Sequence, residues 1–153
     1  MIPASRSAGQ RKLDTLHRLE HDVDGWVASA DPGSGTPHLV PLSFLWDGVT
    51  LLVATPSGSR TSRNMRATGT VRIGIGGTRD VVLIEGTVEA VAADALPAEV
   101  GDAFAVKADW DPRDESDPYT FFRIRPRRIQ AWREAPELKG RELMRDGVWL
   151  ADD

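Results

Sequence analysis

Arg60, Arg63 and Arg66 recur at three-residue steps just after a turn built from Pro56 and Gly58, and no acid follows them before Asp80. The full stretch reads Thr55-Pro56-Ser57-Gly58-Ser59-Arg60-Thr61-Ser62-Arg63-Asn64-Met65-Arg66. A strand-like run ends at Thr55, and a short helix is expected to begin near Ser59. Ser59 stands where an N-cap belongs, since its hydroxyl can accept a free backbone N–H of the first turn. A helix start already carries partial positive charge, so arginines there are mildly unfavourable unless an anion sits at that end. Free N–H groups, Ser and Thr hydroxyls and a guanidinium then converge on a phosphate. The alternative is a solvated, arginine-rich helix face, which the same spacing also produces.

Other reactive side chains are weaker candidates. His17 and His21 have metal-ligand spacing on a helix, but no H-E-x-x-H pattern accompanies them, so a solvated face is the better reading. His38 opens a strand after a loop and reads as a strand-edge histidine. Gly58-Ser59 is not a G-x-S-x-G elbow. Gly74, Gly76 and Gly77 lie in a strand context with no helix after them, so the dinucleotide fingerprint is not met. Arg123, Arg125, Arg127, Arg128 and Arg133 form a late cluster that reads as a solvated or dimer-rim feature, or as an attractor for an anionic tail. Trp132 lies within it, and core is the first reading for that ring, ahead of interface or stacking platform. No metal site is expected.

The elements that must position these groups follow from periodicity and turn residues. Residues 1–10 are small and polar and are expected to be flexible. Leu13, Leu16 and Leu19 suggest a helix from Arg11 to about His21, stopped by Asp24-Gly25. Strands follow at Trp26–Ala30 and His38–Trp46, joined by a turn-rich loop. Asp47-Gly48 signals a hairpin into Val49–Thr55. After the arginine-bearing helix come strands at Thr70–Ile75 and at 81–91. In the latter, Val82, Ile84, Gly86, Val88 and Ala90 face one way, with Glu85, Thr87 and Glu89 opposite. Ala95 to Ala108 reads as a helix and 109–118 as an acidic loop. Tyr119–Ile124 and Arg127–Arg133 read as two strands separated by Pro126. The expected fold is mainly β with short helices, a six- to seven-stranded antiparallel split β-barrel. It forms one domain over residues 11–153.

With 153 residues and 41% hydrophobic composition, the chain can bury a real core. The net charge of −4 argues against a nucleic-acid partner. No apolar run approaches the ~20 residues that span a bilayer, and no apolar h-region marks a secretory signal. Cysteine is absent, which removes disulfides and thiolate chemistry and fits a reducing cytoplasm.

The order of the pieces resembles the pyridoxamine 5′-phosphate oxidase-like split-barrel family. The residues that carry the resemblance are His38-Leu39-Val40-Pro41-Leu42-Ser43-Phe44, Val53-Ala54-Thr55, Gly58-Ser59-Arg60 and Ile84-Glu85-Gly86-Thr87-Val88. Ile129-Gln130-Ala131-Trp132 follows, with Arg141 nine residues later. The resemblance implies a homodimer holding FMN or the deazaflavin F420 at the subunit interface. It places the strand of Val40, Pro41, Leu42 and Ser43 along the ring system. Thr55, Ser59 and Arg60 would hold the phosphate, and Trp132 and Arg141 would reach the cofactor across the dimer.

The oxidase usually has a Lys directly after its phosphate-binding Arg; here Thr61 stands there, with Arg63 as the nearest substitute cation. Where the oxidase has an Arg-x-His pair for its pyridoxal substrate, this chain has Glu137 and Lys139, and a carboxylate at Glu137 would repel a substrate phosphate. No His follows His38, which argues against the haem-binding relatives. The implied activity is hydride transfer between FMN or F420 and a small organic substrate other than pyridoxamine phosphate. The late arginines tip the choice slightly to F420. A non-catalytic cofactor carrier or sensor is the alternative.

Overall fold

Strand after strand alternates inward and outward residues, and the sheet they form closes on itself. The computed structural model describes residues 1–151. Helix α1 (Ala8–His21) leads into β1 (Asp24–Ala30), β2 (Pro37–Trp46) and β3 (Leu51–Pro56), then α2 (Arg60–Thr68). Strands β4 (Thr70–Gly77) and β5 (Asp80–Ala92), helix α3 (Ala98–Ala108) and the long β6 (Tyr119–Arg133) follow, with β7 (Glu142–Arg145) and β8 (Val148–Trp149) last. The sheet order is β3-β2-β1-β4-β5-β6, and β3 also pairs with β6. That pairing closes a six-stranded antiparallel barrel, from which β7 and β8 extend.

The turns that set this order are local chemistry. Asp31 Oδ1 accepts the N–H groups of Gly33 and Ser34, which folds the β1–β2 loop. Asp47 Oδ1 accepts from Val49 and Thr50, which makes the β2–β3 turn. The barrel interior holds Val27, Phe44, Leu51, Val53, Ile73, Ile84, Phe122 and Ile124, all nearly inaccessible. Each such side chain contributes about 1.5–3 kcal/mol by leaving water. A second apolar cluster lies under α3, where Phe104 packs edge-on against Phe121 with Leu52 and Ala54.

Three elements differ from the sequence reading. Helix α1 begins at Ala8, inside the segment expected to be flexible, because Ser7 caps it by accepting from Gln10 N–H at 3.1 Å. Its buried stripe is Arg11, Thr15 and Leu19, while Leu13 is exposed. The two strands expected on either side of Pro126 are one strand, β6. Pro126 sits at a bulge: the register passes from Glu85 opposite Arg128 to Gly86 opposite Pro126, so a missing N–H costs no ladder bond there. On β5 the inward face runs as expected to Val88. Beyond it Ala90 is exposed, and Val91 packs on the cluster under α3 instead.

Arg6 ties the beginning of the chain to its end. Its guanidinium donates to Glu137 at 2.7 and 3.0 Å, and its backbone N–H donates to the same carboxylate at 2.7 Å. Arg133 N–H adds a bond at 2.6 Å, and Arg11 lies 3.7 Å away. These donors hold the Glu137 carboxyl well below its ordinary value, at about 2. Glu137 therefore points inward with its charge answered. The expectation that it would repel a substrate phosphate is overturned.

Candidate functional site

The barrel wall opens where β2 and β3 part. Their ladder runs only from Trp46–Leu51 to Phe44–Val53. Beyond it β2 stays with β1 as far as Pro37, and β3 stays with β6 as far as Pro56. Phe44 N–H donates to Val23 C=O, on the β1 side. Backbone groups alternate along a strand, so those of Ser43 face the opposite edge, into the opening. The cleft is lined by Pro41, Leu42 and Ser43 on one lip, Ala54 and Pro56 on the other, and Trp110 and Tyr119 beside them. Its volume is about 360 Å³. Trp110 meets Tyr119 edge-on at 5.2 Å and is anchored by Nε1 donating to Glu115 at 2.7 Å. Ser43 Oγ donates to Asp24 at 2.6 Å. Val40 packs against the core behind the lip.

Pro56 ends β3, and α2 starts four residues later. Ser59 is its N-cap, accepting from Ser62 N–H at 3.1 Å, and its hydroxyl lies 2.9 Å from Thr55 Oγ1. The N–H groups of Arg60 and Thr61 have no acceptor among the described residues. Thr61 is buried, whereas Arg60 is exposed and forms no ion pair with a carboxylate among the described residues. Arg63 folds back onto Gly58 C=O, which occupies one of its donors. Arg66 turns away to Thr120 Oγ1 at 3.0 Å. Arg60 and Arg63 share a hollow with Asp31 and Thr36 of the β1–β2 loop. Asp31 is held below its ordinary value by the Ser34 and Gly33 N–H groups first and by Arg60 to a lesser degree. Two open N–H groups and the Thr55 and Ser59 hydroxyls therefore meet at one helix start, which is chemistry a terminal phosphate can use, and Arg60 lines the hollow beside it.

A family model described as pyridoxamine 5′-phosphate oxidase matches residues 17–133. The chain belongs to the pyridoxamine 5′-phosphate oxidase family. Solved structures share the fold of this family member. A Listeria innocua protein assigned to the pyridoxamine 5′-phosphate oxidases is 20% identical, with a TM-score of 0.63 over 78% of this chain and 96% of that one. A protein described as an F420 reductase is 22% identical, with a TM-score of 0.60 over 74% and 93%. The Vibrio cholerae haem storage protein HutZ is 14% identical, with a TM-score of 0.61 over 79% and 94%. No curated protein matches the chain in sequence.

In this oxidase-family chain, Thr55, Ser59, Arg60 and Thr61 come together, with Pro41–Ser43 across the adjoining cleft. Trp132 and Arg141 do not join them. Arg141 stacks over Trp132 at 5.6 Å and donates to Gln130 Oε1 at 2.9 Å. Trp132 is thus half-buried on the outer face, not in the core as first read. It lies at the far end of β6 from Tyr119, which is the residue opposite Pro56. Sequence reasoning missed Asp24, Trp110 and Tyr119, which line the cleft from three different elements. The aromatic pair flanking the acidic loop was the available signal.

Proposed function

We propose that this chain is a flavin- or deazaflavin-dependent oxidoreductase, working as a cytoplasmic homodimer with FMN or F420 at the subunit interface. The observation that carries the reading is the β2–β3 opening running directly into the first turn of α2. The phosphate rests on Thr55, Ser59, Arg60 and Thr61, with Arg63 at the rim. The ring system lies along Val40, Pro41, Leu42 and Ser43, whose outward backbone groups bond its edge. When bound, the cofactor supplies hydride transfer to or from a small organic substrate. The protein orients the ring, grips its phosphate and excludes water.

Two observations support the dimer. Trp132 lies at the far end of β6 from the phosphate turn and Arg141 just before β7, so in this reading it is Trp132 of the partner subunit that reaches the ring. The outer face of β2, β1, β4 and β5 carries an apolar patch: Leu39 and Trp26 are more than half exposed, and Leu83 lies two strands from Trp26 in the same layer, with the Arg72–Glu85 pair beside it. Glu137 is committed to Arg6, which leaves no cationic pair there for a second phosphate. The substrate is therefore not pyridoxamine phosphate.

The test is a titration of the purified protein with FMN and with F420, following ligand fluorescence and melting temperature. Micromolar binding of one, followed by reduction of quinone-like or enone substrates, supports the reading. Binding without turnover assigns the same cleft to a carrier or sensor. Binding of neither by folded, dimeric protein sinks it.

A further inference from the structure

Among the residues that line the β2–β3 cleft, Asp24 alone carries a charge; the rest are apolar, aromatic or, at Ser43, a neutral hydroxyl. Asp24 opens β1, and the ladder sets it directly opposite Ser43 of β2. It is exposed and makes no ion pair among the described residues. Arg18, packed over Gly76 of the neighbouring β4, answers Asp80 at 2.9 Å instead. Arg60 lies in the hollow beside the β1–β2 loop, which shares no residue with the cleft.

The one hydrogen bond of the Asp24 side chain is that from Ser43 Oγ, at 2.6 Å. A carboxylate oxygen only accepts, so the serine hydroxyl gives its hydrogen to Asp24. Two consequences follow for the cleft. Ser43 Oγ keeps lone pairs and has no hydrogen left to donate. The carboxylate is also held one hydrogen bond behind the residue whose backbone N–H and C=O face the opening.

We infer that Asp24 is a positioning residue that lowers the reduction potential of the cofactor, acting from behind Ser43 at the ring edge. The inference rests on the cofactor reading above. A fixed negative charge at this distance opposes the gain of electrons by the ring. Ser43 works in the same direction. Its oxygen accepts from a ring N–H but cannot donate to the ring carbonyls, where reduction increases the electron density. A lower potential makes the bound cofactor a better hydride donor.

The experiment measures the midpoint potential of bound FMN, or of F420 if the protein binds that instead, by stepwise reduction against a reference dye. Asp24→Asn keeps the size of the side chain and an acceptor for Ser43 but removes the charge. It should raise the potential by ~30 mV or more, about tenfold or more in the two-electron equilibrium. Asp24→Glu keeps the charge and should stay close to the wild type. Ser43→Ala releases the carboxylate and should raise the potential by less than Asp24→Asn does. Asp146→Asn removes a charge from the β7–β8 turn, toward the far end of β6 from Tyr119, and should leave the potential unchanged. A bond that only held β1 to β2 would move the melting temperature and not the potential.

The inference is overturned if Asp24→Asn leaves the potential unchanged or lowers it, or if Asp146→Asn raises it as much. If Asp24→Asn no longer holds the cofactor, an unchanged potential in Ser43→Ala overturns it as well. Cofactor binding without these shifts removes this inference alone and leaves the cofactor reading standing. Binding of neither FMN nor F420 by the folded wild type removes both.

Discussion

Arg60 forms no ion pair among the described residues, with Asp31 only sharing its hollow, while Glu137 is 1% exposed and answered several times over. The two positions give opposite outcomes on substitution. Arg60→Ala removes the charge-assisted bond proposed to the cofactor phosphate. Affinity in the titration should fall by about 1.5–3 kcal/mol, with the melting temperature of the cofactor-free protein unmoved. Glu137→Gln leaves the buried Arg11 without its counter-charge and Arg6 with only Asp14 and Asp80, and should lower stability by about 3 kcal/mol in a denaturant melt. The Glu137 carboxyl titrates lower in the folded protein than in the unfolded chain. Its contribution is therefore present above its ordinary value near 4.5 and is lost as pH falls toward about 2. Acid unfolding of the wild type should show this loss in that window, and the Glu137→Gln variant should show it much reduced. Arg60 was legible in the sequence because a cap residue and a turn precede it locally. The role of Glu137 was not, because its main partner lies 131 residues away.

At the level of elements, alternation and turn residues located every barrel strand, and what they missed came from backbone accommodation. Pro126 looked like a strand break because a proline removes a ladder donor. The bulge absorbs it, and β6 continues to Arg133. Gly86 makes that bulge possible. A Cβ there would lie 2.7 Å from Ile124 Cγ2 and 2.9 Å from Arg125 C=O, and the second neighbour is backbone that cannot swing away. Gly86→Ala should therefore destabilise by about 1–3 kcal/mol in a thermal or urea melt, with loss of the β5–β6 amide protection beside it. The start of α1 was readable in principle from Ser7 and Gln10, a Ser-x-x-Gln capping pattern, but the small, polar character of the first ten residues obscured it. The cleft itself was half legible. Its lip, Pro41–Ser43, and its phosphate turn are contiguous motifs, whereas Trp110 reaches it from the end of α3 and Tyr119 through the pairing of β6 with β3.

For the whole molecule, the decisive surface is the apolar outer layer of β2, β1, β4 and β5. Leu39→Asp, at a position 59% exposed, should leave the monomer fold intact. It should convert the proposed dimer to monomer in sedimentation and weaken FMN or F420 binding together with it. A wild-type chain that sediments as a monomer would remove the interface from the functional reading. The Arg6–Glu137 clasp has a consequence in time as well as in space. During synthesis Arg6 must wait for 131 further residues before its partner exists. At roughly 5–20 residues per second this is on the order of ten seconds. Through that interval Arg6 has Asp14 and then Asp80 as anions, while the buried Arg11 still lacks Glu137. The residues ahead of α1 are thus among the last pieces to be fastened, and the nascent chain carries them as a loose end that a protease or chaperone can grip until the final strands emerge.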